Sequence, residues 1–107
     1  MRSVERSRGD VGMNEARIVK KIQERLRARG ANVLKLHGGP FQPAGLDLFG
    51  CAPAIAGRMF VLEVKQPGED ATPRQTVLLE QWRQSGAIAG VVRSADEAEA
   101  LVFGAVS

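Results

Sequence analysis

The sequence predicts one α/β domain: a mixed four-stranded sheet flanked by helices, in the order αβββαβα. Three observations predict it. An early segment carries apolar residues at helical spacing, three short apolar runs divided by Gly/Pro turns follow, and a capped helix then leads into a last apolar run. A length of 107 residues leaves room for one core. With 44% hydrophobic and 25% charged residues the chain is apolar enough to fold and is not a disordered polymer.

Residues 1–12 have no apolar period and are rich in Arg, Ser and Gly, so a flexible arm is expected there, with the single domain over 13–107. From Met13 to Arg29, Ile18, Val19, Ile22 and Leu26 form a helical stripe, with Asn14 as candidate N-cap and Gly30 as the stop. Val33, Leu34 and Leu36 read as a short strand running into the loop His37-Gly38-Gly39-Pro40. Leu46 to Cys51 and Arg58 to Lys65 read as two further strands of an antiparallel meander, turned at Pro53 to Gly57. Thr72-Pro73-Arg74-Gln75 is a capping box with proline at the first helical position, and Leu78, Leu79 and Trp82 give that helix its buried stripe. Ala87 to Val92 suits a strand covered on both faces, parallel to the one before it, and Ser94 with Glu97 caps a last helix ending near Phe103.

Charge is unevenly placed. Residues 1–35 hold ten Lys/Arg against four Asp/Glu, whereas the remainder hold five against eight. A basic N-terminal surplus suits contact with phosphates. Four Phe, one Trp and no Tyr argue against a surface that stacks single-stranded bases, which leaves duplex or branched backbone as the nucleic-acid candidate. Cys51 is the single cysteine, so an internal disulfide and a thiolate metal site are excluded, and it is expected in the core with Trp82. No apolar run reaches the length of a membrane span, so a cytosolic location is expected.

The third strand carries the anomaly. A period of two puts Met59, Val61, Glu63 and Lys65 on one face, so two charges end a strand face where packing favours Val or Ile. Asp47, between Leu46 and Leu48, is placed by the meander to bring its carboxylate beside Glu63. Two converging carboxylates repel unless a cation neutralises them, and a hard divalent ion, Mg²⁺ or Mn²⁺, suits oxygen donors. Glu15 shares the buried stripe with Val19, Ile22 and Leu26 and is a candidate third acid. Gln75 lines up with Leu78, Leu79 and Trp82; its place in the capping box accounts for it equally well.

Taken in order, the helical Glu15, the segment Lys35-x-His37-Gly38, Gly45-Leu46-Asp47, Glu63-Val64-Lys65, Thr72-Pro73-x-Gln75 and Gly90-Val91-Val92-Arg93-Ser94 resemble the VRR-NUC family of the PD-(D/E)XK nuclease superfamily. Leu46 stands where the family more often has proline. The resemblance implies a restriction-endonuclease-like αβββαβ(α) core and metal-dependent cleavage of DNA phosphodiesters to 5′-phosphate and 3′-hydroxyl ends. It assigns Asp47 and Glu63 to the metal with the Val64 carbonyl as a further ligand, Glu15 to an extra or water-mediated ligand, and Lys65 to the attacking water. Gln75 would position that water or the phosphate, and Lys35, His37, Gly38, Arg74 and Arg93 would contact substrate. Its small stand-alone members resemble Holliday-junction resolvases, which implies a homodimer acting on branched DNA. Two other readings stand beside it: a non-catalytic DNA-binding or assembly module that kept the fold, and a restriction-type nuclease that reads sequence.

Overall fold

The computed structural model describes residues 7–36 and 46–104, with side chains from residue 14 onward. Helix α1, Ser7–Ala28, starts six residues ahead of Met13, and Asn14, expected as its cap, lies inside it. Extending a helix gains a hydrogen bond for each residue fixed, whereas starting one does not, so Gly9 and Gly12, at about 1 kcal/mol each, do not stop it. Gly30, with φ of +88°, turns the chain out of α1.

The strands are β1 (Asn32–Lys35), β2 (Leu48–Cys51), β3 (Met59–Val64) and β4 (Ile88–Val92), in that spatial order. The first three pair antiparallel, and β4 pairs parallel to β3, with Glu63 opposite Val91. A single 3-10 turn, Pro53–Ile55, links β2 to β3. Strand β2 begins at Leu48, two residues after the expected Leu46, because Asp47 leaves the regular ladder: its amide bonds to Leu62 of β3 while its carbonyl accepts from Leu36. Helix α2 (Pro73–Gln84) has the complete Thr72/Gln75 capping box expected. Helix α3 (Ala95–Phe103) has only half of its own: the Ser94 hydroxyl accepts from the Glu97 amide, but the Glu97 carboxylate reaches past Ser94 to the amide of Arg93, at 2.8 Å.

The sheet separates two apolar layers. On one face Phe60, Leu62 and Val64 of β3 pack with Ile22 and Leu26 of α1 and Val102 of α3. On the other, Val61 packs with Leu46, Leu79, Ala87 and Ala89, flanked by Phe49 and Trp82, whose rings meet edge to face at 5.4 Å. Each buried large side chain of this kind contributes roughly 1.5–3 kcal/mol. Glu63 follows Val61 on that second face, as the alternation predicts.

Part of the basic surplus in α1 and just after it is used internally. Arg25 bridges Asp96 and Glu99 of α3, and Arg29 pairs with Glu99 and lies over the Phe103 ring. These two arginines hold the Glu99 carboxyl below the usual range. Arg27 donates through Nη2 to the Val33 carbonyl of β1, at 3.0 Å. Because α2 covers β3 and β4, the β1–β2 half of its face is an open groove of about 560 Å³ lined by Leu34, Phe49, Cys51 and Met59. Cys51 is therefore half-buried at a groove wall and not in the core as expected.

Candidate active site

Asp47 sits where β1, β2 and β3 meet, and three hydrogen bonds fix it. Its amide donates to the Leu62 carbonyl at 3.0 Å, its carbonyl accepts from Leu36 at 3.0 Å, and its Oδ2 accepts from the Val64 amide at 2.8 Å. The last bond aims the carboxylate along β3 toward Glu63. Glu63 is 3% exposed and is one of two buried polar residues among those described; Gln75 is the other.

The two buried residues are bonded to each other. Gln75 Nε2 donates to Glu63 Oε2 at 2.9 Å, and Gln75 Oε1 accepts from the Thr72 amide at 3.0 Å. Capping and a site role are thus the work of one carboxamide, whose ends are occupied by backbone and by Glu63. That arrangement orients Glu63 through the Gln75 carboxamide. Lys65 Nζ lies 3.6 Å from the same Oε2, on a side chain that is 17% exposed. Glu63 Oε1 is buried with no hydrogen-bond partner.

The electrostatics follow. Burial first, and the Asp47 carboxylate second, push the Glu63 carboxyl up to about 7, against the opposing pull of Lys65. Partial burial, then the charges of Asp47 and Glu69, also raise the Glu15 carboxyl, while Lys65 and Lys35 lower it. Asp47 and Lys65 therefore act on both Glu63 and Glu15, and Glu69 and Lys35 act on Glu15.

A solved chain described as a VRR_NUC domain is 30% identical to this one, with a TM-score of 0.69 over 83% of this chain and 94% of its own. The chain belongs to the VRR-NUC family. No family model and no curated protein matches the sequence. The α/β architecture with a mixed four-stranded sheet and three flanking helices is the nuclease core expected of the family, and membership points to a nuclease.

The donor chemistry of this VRR-NUC domain suits a hard cation. An unpartnered buried carboxylate oxygen beside a second carboxylate is costly on its own, and a divalent ion would satisfy it. Among the described residues no three His, Cys, Asp or Glu side chains gather around one point, so Asp47 and Glu63 would hold the ion with backbone and water completing its shell.

The other predicted positions divide. Lys35 ends β1 near Glu15, and Arg74 is exposed in the first turn of α2 without an ion pair among the described residues. Arg93, expected on substrate, donates through Nη2 to the Glu69 carbonyl at 2.6 Å and to Asp70 at 3.3 Å. His37 and Gly38 lie outside the described residues. Glu69 was hidden from sequence reasoning inside a turn, Gln66-Pro67-Gly68-Glu69, which by itself signals only a change of direction.

The raised Glu63 carboxyl has a stability consequence. A carboxyl that ionises less readily in the fold than in the unfolded chain costs nothing below pH 4.5, costs progressively more up to about pH 7, and carries its full penalty above that. Glu63→Gln is therefore expected to raise the metal-free melting temperature at pH 8 by on the order of 5 °C and to change it little at pH 4.5. Thermal unfolding at the two pH values checks it.

Proposed function

We propose that this VRR-NUC domain is an endonuclease that cuts DNA phosphodiesters with Mg²⁺ or Mn²⁺, prefers branched DNA such as a four-way junction, and acts as a homodimer. The observation that carries the metal-dependent reading is the buried, unpartnered Glu63 Oε1 beside Asp47. Asp47 and Glu63 hold the ion, with the Val64 carbonyl as a further donor and Glu15 acting through water. When bound, the ion polarises a phosphoryl oxygen and lowers the pKa of water.

The protein's own groups do the rest. Gln75 keeps Glu63 in one rotamer, which spares the site the entropy of ordering it during reaction. Lys65, ion-paired to Glu63, orients the attacking water and offsets negative charge developing on the phosphoryl group. Lys35 and Arg74 contact flanking phosphates. No helix among the described residues is long and apolar enough to cross a membrane. The dimer reading rests on symmetry: a two-fold pair presents two sites to the two opposed strands of a four-way junction.

Purified protein is expected to cut a synthetic four-way junction in Mg²⁺ or Mn²⁺ at least tenfold faster than a linear duplex of the same sequence. Equal rates on both would remove the branched-DNA preference; sequence-dependent cutting of the linear duplex would favour a restriction-type enzyme. Titration calorimetry with Mn²⁺ is expected to show binding that weakens as pH falls through about 7, because the proton on Glu63 competes with the ion. A protein that takes up no Mn²⁺ and cuts nothing is a binding module.

A further inference from the structure

The chain between Lys65 and Thr72 connects the two sides of the site, and a side chain from β4 holds it. Gln66 and Glu69 close a turn on each other: the Glu69 amide donates to the Gln66 carbonyl at 3.0 Å, and the Gln66 amide donates to Glu69 Oε1 at 3.1 Å. Pro67, Gly68, Glu69 and Asp70 are all exposed, so apolar packing does not fix this turn. Arg93 reaches it from the end of β4, where Nη2 donates to the Glu69 carbonyl at 2.6 Å and lies 3.3 Å from Asp70 Oδ1.

Arg93 is itself anchored. Its amide donates to Glu97 in the first turn of α3, and the carbonyl of the preceding residue, Val92, accepts from the Lys65 amide at 3.1 Å. Residues 92 and 93 thus grip both the backbone of Lys65 and the turn that follows it. Beyond the turn comes Thr72, whose capping box sets the Gln75 carboxamide on Glu63.

We infer that Arg93 is a positioning residue of the nuclease: it pins the 66–70 turn from behind and so fixes the approach of Lys65 from one side and of Gln75 from the other onto Glu63. The shortest bond of its guanidinium goes to a backbone carbonyl inside the protein, which is what a brace requires and what a phosphate contact does not. The inference rests on the nuclease reading above.

The test compares the wild-type chain with Arg93→Met, which keeps the aliphatic stem and loses the donors, and with Arg93→Lys. Single-turnover cleavage of a four-way junction in Mg²⁺ at saturating DNA gives the rate. Binding of the same junction without divalent metal, at several salt concentrations, gives Kd and its salt slope. Arg93→Met is expected to lower the rate at least tenfold, to leave Kd within twofold and the slope unchanged, and to speed amide exchange across residues 66–70. Arg93→Lys, which folds with the cation in place, is expected to show the same split at reduced size.

A Kd weakened tenfold with a salt slope lowered by about one would instead make Arg93 a phosphate contact and overturn the inference. A rate unchanged within twofold would overturn it as well. If the wild type does not cut, or cuts as well after Asp47→Asn, the nuclease reading has failed. Amide exchange then still reports whether Arg93 holds the turn.

Discussion

Asp47→Asn and Lys65→Ala are expected each to reduce cleavage of a four-way junction by at least ~10³-fold, on the order of 4 kcal/mol of transition-state stabilisation, and to do so by different routes. Asparagine keeps an oxygen to accept from the Val64 amide, so the meeting point of β1, β2 and β3 persists and the loss is one of cation affinity. Calorimetry should therefore lose the Mn²⁺ signal in Asp47→Asn. In Lys65→Ala the two carboxylates remain, and Mn²⁺ binding should survive, weakened near neutral pH because the nearby ammonium no longer helps Glu63 to ionise. Raising the pH to 8.5 should recover metal binding in Lys65→Ala without recovering cleavage. Wild-type rates in both variants would reject this assignment of the site.

Gly50→Ala is expected to be the most damaging small substitution in the chain. A Cβ built on Gly50 would stand 2.1 Å from the Asn32 carbonyl oxygen of β1 and 2.5 Å from the Phe60 ring. The first neighbour is backbone in a paired strand and the second is a fully buried ring, so neither moves cheaply. Overpacking of this severity costs about 3 kcal/mol or more, a large part of what a domain of this size has to spare. Denaturant unfolding should show a lowered midpoint at constant m-value. Gly86→Ala is the control at φ of +107° with open space around the Cβ, where backbone strain alone operates at about 1 kcal/mol.

The comparison between these residues shows what the sequence made legible. The alternation in β3 was enough to set Glu63 against the apolar grain of its strand, and the meander was enough to set Asp47 beside it, because both follow from a period of two and short turns. Thr72 and Gln75 announced the start of α2 by local chemistry alone. What sequence did not show is long-range. Nothing local says that the ends of one carboxamide are divided between a backbone amide and Glu63, that Arg93 turns inward to Glu69, or that Arg25 and Arg29 use their charge on α3. The start of α1 was missed for another reason: glycines count against a helix when propensities are summed, but not decisively once a helix is already running. Gly50 was unreadable because its neighbour Phe60 lies ten positions away, across a strand pair.

The bond from Arg27 to the Val33 carbonyl gives β1 a property that its place at the end of the sheet would otherwise deny it. An outermost strand with bare carbonyls is a template for runaway polymerisation, and a charged cap on one of them blunts that growth. Stripping the cap with Arg27→Ala should bring on turbidity or fibrils in concentrated stocks well before the melting point. The same cap takes one edge carbonyl away from any attempt by two copies to splice their sheets into one.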